Sequence, residues 1–530
     1  MRNLSRRELF GRGLVAADAL GGLSQAQRSR AAPPVTTDPA RYFALQVVDA
    51  QTGRGVPMVR LHTTSAVDYF TDSNGWVAFQ EPGLMNRKVY FGVTSPGYEF
   101  PADGFGMQGM ALKTRPGTRT KLHIQRLNIA ERLYRITGEG IYRDTVLLGL
   151  KPPLAHPLLD AQVTGQDGVL TAIYGGRLYW LYGDTNWLSY PLGNFHTTGA
   201  TTVLPAKIDP AVGFNLNYFT GPDGFVRPLA PLPGPGVVWL SGLVVLPDRT
   251  GWPRMLARFS RLPGLKPPYE MGYVIYNDKK QVFEKLKNIP LDTPHQFLGY
   301  PSRVKAADGT EYIYFTAPYP VLRVKAQFDL YLDPARYACY SCLKPGTPKS
   351  AADAALLDRD AAGKLLWSWK SHTAALSPKD QEALIKAGKM RRDESPLRLA
   401  DAKTGTPILL NNCSCFWNEY RRKYIMIASQ EYGATMLGEV WYAEADAPIG
   451  PWTKAVKIIT HATHPHEAHD FYNPTQHPFF DQAGGRIIYL EGSYVNTFSG
   501  NPVTTPRYEY NQIMYRLDLS DPRLKPVQTT

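Results

Sequence analysis

Several carboxylates stand at strand boundaries, where a side chain can be held still for chemistry. They are Asp167 in Gly165-Gln166-Asp167-Gly168-Val169, Asp184 in Gly183-Asp184-Thr185-Asn186, Glu270 and Glu439 ahead of apolar runs, and Glu491 after Ile487-Ile488-Tyr489-Leu490. Hydrolysis of a glycosidic bond needs two such groups, one protonated to release the leaving oxygen and one ionised to activate water or attack the sugar. Asp167 is one candidate for the ionised group. The acid is expected to be Glu439 and then Glu270, because crowding by other carboxylates raises a pKa toward the working pH. Asp184 would orient its neighbours, although an Asx-turn explains it as well. Tyr300, Asn473, Gln476, His477 and Glu491 are expected to bind substrate. Trp239 is suited to a sugar face, but core packing is its plainer role.

Two further clusters invite metal or thiol chemistry. Five of the 11 histidines lie between His461 and His477. With Glu467 and Asp470 they would suit zinc, but Pro465 and the irregular spacing match no ligand signature, so a polar loop is the expectation and no metal is assigned. The four cysteines form two close pairs, Cys339-Tyr340-Ser341-Cys342 and Cys413-Ser414-Cys415. Disulfides, a four-thiolate zinc site and free thiols all remain open.

The elements that must position these groups are short strands. A phrase of turn, polar residue and aromatic-aliphatic run occurs five times: Gly175 to Tyr182, Gly251 to Phe259, Asp308 to Phe315, Arg421 to Ile427 and Gly484 to Leu490. Each has an apolar strand before it and another after it, which is the order of a propeller blade. Successive strands in a blade run antiparallel, so one face collects the start of strand one, the end of strand two and the start of strand three. Applied to the chain, this rule brings Asp167, Asp184, Glu270, Tyr300, Cys413, Glu431, Glu439, Asn473, His477 and Glu491 to one end. The long gap between copies three and four holds an insertion, about 334–406, with a helix that Ser377 caps and Pro378 begins.

Residues 41–125 alternate in β fashion, with turns at Gly53 and Asn74-Gly75, and predict a small β-sandwich. The run from Val47 to Phe79 resembles the transthyretin-like or carboxypeptidase-regulatory type of domain. Residues 126–159 read as a connector, and 160–525 as a five-bladed propeller. The fold class is therefore all-β. Ser5-Arg6-Arg7-Glu8-Leu9-Phe10, followed by the weakly apolar Gly13 to Leu23, resembles a twin-arginine export signal over residues 1–31, which implies a periplasmic or secreted protein.

The closing phrase Glu439-Val440-Trp441-Tyr442-Ala443 through Pro451-Trp452 resembles the five-bladed glycoside hydrolases of the arabinanase, fructosidase and anhydrogalactosidase type. The likeness spans about 160–520. It implies an Asp base in the first blade, matched by Asp167, while the family's Glu-Gly-Pro phrase for the acid does not occur. It requires no cofactor and allows a calcium ion on the propeller axis. The reading is an exported glycoside hydrolase. Alternatives are a non-catalytic carbohydrate-binding or adhesion propeller, and a lyase using His477 and a Tyr.

Composition narrows the partners. The 530 residues carry a net charge of +13 with 12% aromatics, 46 Gly and 44 Pro, which excludes a coiled coil, a disordered chain or a membrane bundle. Lys and Arg are interspersed with Asp and Glu without a basic stripe, which argues against nucleic acid. Six of the arginines fall within Met1 to Arg30 against Glu8 and Asp18, so four of the +13 charges belong to the signal. No apolar run reaches the ~20 residues of a membrane span. The positive remainder would tolerate an anionic glycan.

Overall fold

The computed structural model describes residues 38–264, 266–295, 297–462, 469–496, 499–501 and 504–528. The paired arginines, together with His464, His466 and Glu467, lie outside the described residues.

From Val169 onward five sheets succeed one another among the described residues. Their first two strands are Val169–Tyr174 and Arg177–Tyr182, Val237–Pro247 and Pro253–Leu262, Pro301–Lys305 and Glu311–Thr316, Leu410–Asn418 and Lys423–Gln430, and Asp470–Gln476 and Ile487–Val495. Every copy of the repeated phrase falls on a second strand. Its apolar density has a simple cause. Alternate residues of a strand face opposite ways, and here both faces meet a neighbouring sheet. Met426 and Ala428 pack toward the third sheet with Tyr319 and Val321, whereas Ile425 and Ile427 pack toward the fifth with Phe471, Ile488 and Leu490. Trp180 and Tyr182 of the first sheet pack with Tyr489 and Met514 of the fifth, while Tyr179 and Leu181 face Met255, Ala257 and Phe259 of the second. Apolar contact therefore runs from each sheet to the next and from the fifth back to the first.

The segment expected to be a connector supplies a strand. Glu131–Arg135 pairs antiparallel with Asn511–Asp518, placing residues from before the first sheet at the outer edge of the fifth. The sequence hides this partner because the strand is short, five residues of mixed charge, and its mate lies near the other end of the chain.

Two four-stranded sheets lie within residues 43–126, with Leu45, Val47, Leu61, Phe79, Phe91, Val93 and Ile124 in one apolar core between them. They are tied to the fifth sheet by buried polar groups. Arg132, 1% exposed, donates to the Pro57 carbonyl at 2.9 Å and to Ser95 Oγ at 3.1 Å. Tyr508 Oη accepts the Met58 N–H at 2.9 Å. Inside the insertion the helix Pro378–Lys386 is present as expected, with Ser377 Oγ accepting the Asp380 N–H at 3.1 Å.

Candidate functional site

The N-terminal ends of the five first strands surround a cavity of about 620 Å³. The first sheet supplies Asp167 and Asp184, the second Trp239 and Ser241, the third Tyr300 and Thr316, the fourth Asn412 and Cys413, and the fifth Asn473; His295 and Phe297 reach in from the loop before the third.

The two aspartates are held by the ladder itself. Val169 pairs with Tyr182, and the pairing continues past the strand ends: the Gly183 N–H donates to the Gly168 carbonyl at 3.2 Å, and the Asp167 N–H to the Asp184 carbonyl at 2.8 Å. Asp167 and Asp184 are thus cross-strand neighbours at the cavity mouth. Gly168 sits between them and the fifth sheet, where a Cβ would come within 2.9 Å of Asn473 Nδ2.

Asp167 is the hub of a side-chain relay. Its Oδ1 accepts the Gly168 N–H at 2.5 Å, Asn473 Nδ2 at 3.4 Å and Ser493 Oγ at 3.4 Å. Asn473 adopts a left-handed φ of 53°, a conformation that Asn tolerates better than most residues. Its Oδ1 accepts from Asn412 Nδ2, and Asn412 Oδ1 in turn accepts Ser429 Oγ at 2.6 Å. Tyr300 Oη donates to the Asn473 carbonyl at 3.3 Å. Burial, with the charges of Glu491 and Asp167 adding to it, pushes the Tyr300 hydroxyl well above its usual range, so it remains a donor. Burial and the Arg258 guanidinium push His295 down to about 4, which leaves a neutral imidazole at the rim.

Five expected site residues do not line this cavity. Glu270 does begin a third strand, but its carboxylate is clamped by Arg261 Nε at 2.6 Å and Lys285 Nζ at 2.8 Å. Burial works against its ionisation, and the Lys285 and Arg261 contacts outweigh that and hold the pKa down, the reverse of what an acid needs. Glu439 is 1% exposed and accepts from the Ala434 N–H at 3.0 Å and Thr460 Oγ1 at 2.9 Å, with Lys457 Nζ at 3.4 Å. The face rule selected the correct end of both sheets but ignored radius, and third strands lie too far from the axis. Gln476, His477 and Glu491 err in depth. They are buried below the cavity floor, with His477 Nε2 3.6 Å from Glu491 Oε2 and its ring edge-on to Trp180, while the Gln476 N–H donates to Ser414 Oγ at 2.9 Å. Glu431, which the same rule brought to this end, pairs with Lys379 of the insertion at 2.8 Å.

Sequence reasoning missed Asn412, Ser241, Thr316, Phe297 and His295. Only the last carries a signal, a histidine in the turn-forming run Asp292-Thr293-Pro294.

The metal and thiol readings resolve separately. His461 stacks on Phe471 and bonds Tyr515 Oη through Nε2 at 2.9 Å, and His469 stacks on Tyr494. Burial pushes both imidazoles down, His469 to about 4. No three His, Cys, Asp or Glu side chains converge as a metal centre among the described residues. All four cysteines are free and buried. Cys413 lines the cavity, but burial pushes its thiol up, and Sγ donates to the Pro318 carbonyl at 3.5 Å, so no thiolate nucleophile stands there.

No family model matches the chain, and no curated protein matches it. Among solved structures it is similar to an α-L-arabinanase of Penicillium chrysogenum at 12% identity and TM-score 0.35, over 74% of this chain and 99% of that one. An exo-β-1,3-galactanase of Phanerochaete chrysosporium gives 10% identity and TM-score 0.34, over 74% and 65%. A thermostable family-43 glycoside hydrolase gives 13% and 0.29, over 66% and 88%.

Proposed function

We propose that the chain is a glycoside hydrolase acting in the axial cavity of a five-bladed propeller, on a polysaccharide or oligosaccharide. The observation that carries this reading is the cross-strand pair Asp167 and Asp184 in a cavity built by all five sheets. Asp167, fixed by three hydrogen bonds, removes a proton from water or attacks the sugar carbon. Asp184, the other carboxyl among the described lining residues, donates a proton to the leaving oxygen in place of Glu439 and Glu270. Tyr300 and Asn473 offer donors and acceptors to sugar hydroxyls, and Trp239 offers an aromatic face. The reading extends to the N-terminal pair of sheets as a transthyretin-like sandwich and to residues 1–31 as a twin-arginine signal that exports the chain.

The test is release of reducing ends from α-1,5-arabinan, β-1,3-galactan and β-1,4-xylan. Asp167→Asn and Asp184→Asn should each lower kcat by about 100-fold or more with folding retained. Undiminished cleavage by both variants would overturn the assignment. A second reading, a non-catalytic carbohydrate-binding propeller, is favoured by the engagement of both expected acids, Glu270 and Glu439, with basic and hydrogen-bonding partners away from the cavity. Tight glycan binding without turnover by the unmodified protein would establish it. A product absorbing in the ultraviolet would instead identify a lyase, since elimination leaves an unsaturated sugar.

A further inference from the structure

A second cavity, of about 430 Å³, adjoins the first. His295 lines both. The other walls are the turn before His295, the segment around Asp333 and Ala335, and, from the insertion, Gly346, Pro348 and His372. Each cavity is of the size that takes a small ligand, for which roughly 300 to 1,000 Å³ is usual.

The partition is built. His295 has a left-handed φ of 65°, uncommon for a non-glycine residue, and its carbonyl accepts Arg258 Nη1 at 2.6 Å. Arg258 is 1% exposed, lies over the rings of Tyr273 and Tyr337 at 5.3 and 5.2 Å, and donates to Tyr273 Oη at 2.9 Å. The guanidinium therefore fixes the backbone that carries the imidazole. His295 Nε2 is buried and makes no hydrogen bond of good geometry among the described residues, the Thr373 backbone being the polar group beside the ring. A buried polar atom left in that state destabilises the fold unless a ligand or water meets it.

Charge selects the ligand class. The acidic side chains lining the two cavities are Asp167, Asp184, Asp292 and Asp333, with no Lys or Arg among the described lining residues. An acidic glycan gains nothing here and is repelled, whatever the net charge of the chain.

We infer that the second cavity holds the further units of a neutral glycan chain whose scissile bond lies in the axial cavity, and that His295 hydrogen-bonds the chain where it passes between the two. The inference rests on the reading of the axial cavity as a glycan site. It makes the insertion a determinant of chain-length specificity.

The experiment uses the full chain and the di- to hexasaccharide series of whichever of the three polymers is cleaved or bound, with the disaccharide as internal reference. Ala335 is exposed and lines the second cavity, so Ala335→Trp obstructs it without entering the core. In the unmodified protein kcat/KM, or affinity if there is no turnover, should rise by about tenfold or more from disaccharide to hexasaccharide, and Ala335→Trp should abolish that rise. His295→Ala should flatten the same series, and His295→Gln, which keeps a side-chain donor and acceptor, should restore part of it. Cleavage or binding that is independent of length and identical in Ala335→Trp would overturn the second cavity while leaving the axial site standing. Failure of all three polymers to bind or to be cleaved would overturn both.

Discussion

Asp167 is fixed from several sides, and the quality of that fixing is measurable apart from its acidity. Asn412 never needs to touch the reacting atoms to matter: it accepts from Ser429 and donates to Asn473, which donates to Asp167. Asn412→Ala should therefore lower kcat by about tenfold with little change in KM, because the loss is one of orientation. A loss confined to KM would instead make Asn412 a ground-state sugar contact. A second residue-scale prediction concerns Asp481, whose carboxyl burial pushes up to about 7, the Gln476 amide offsetting only part of the effect. The folded chain then keeps a proton that the unfolded chain has already lost above about pH 4, so this contribution to stability is present at acid pH and declines as pH rises through about 7. Asp481→Asn should flatten that decline, gaining roughly 3 kcal/mol over the unmodified chain at pH 8 relative to pH 4.5, measured by denaturant unfolding at the two pH values. Asp167 and Asp184 were legible in the sequence because both sit in turn chemistry beside strong strands. Glu270 and Glu439 looked equivalent to them because one-dimensional periodicity reports which end of a strand a residue occupies and nothing about its distance from an axis.

Strands reach the cavity only where the backbones beside them leave room. A Cβ on Gly299 would lie 1.9 Å from the Thr316 carbonyl oxygen, and Tyr300 next to it is held by its N–H to Thr316 Oγ1 at 2.9 Å. Gly299→Ala must push the first and second strands of the third sheet apart at the cavity wall. It should cost about 2 kcal/mol or more and misplace Tyr300, seen as a lower melting temperature together with weaker glycan binding. A normal melting temperature would show that the backbone relaxes there at little expense. The insertion helix is more forgiving: Ser377→Ala removes its cap and should loosen residues 378–386 by about 1 kcal/mol, read as faster amide exchange in that segment alone. The second strands were plain in the sequence because each is packed on both faces. The helix was plain from Ser377-Pro378 and from Gly388, whose φ is 66°. His295 escaped because a loop residue has no period to betray it.

Contact between the fifth and first sheets, and between the N-terminal pair and the fifth, makes the molecule depend on residues far apart in the chain. A truncated protein beginning at residue 160, the boundary read from the sequence, lacks Glu131–Arg135 and with it Arg132 and the mate of Asn511–Asp518. That protein should aggregate or melt far below one beginning at residue 38, as size-exclusion chromatography and thermal unfolding will register. A monomeric, equally stable fragment from 160 would show that the strand is dispensable. The boundary was misread because a strand that pairs across the whole length of the chain leaves no local trace.

The same strand sets a clock on synthesis. Glu131–Arg135 leaves the ribosome about 376 residues ahead of its mate, Asn511–Asp518. At about 5–20 residues per second the edge stays open for tens of seconds. During that interval a five-residue strand has little to recommend it to a wrong partner, whereas a longer, greasier one would seed aggregation; brevity and charge at Glu131, Arg132 and Arg135 therefore serve the unfinished chain as much as the finished one.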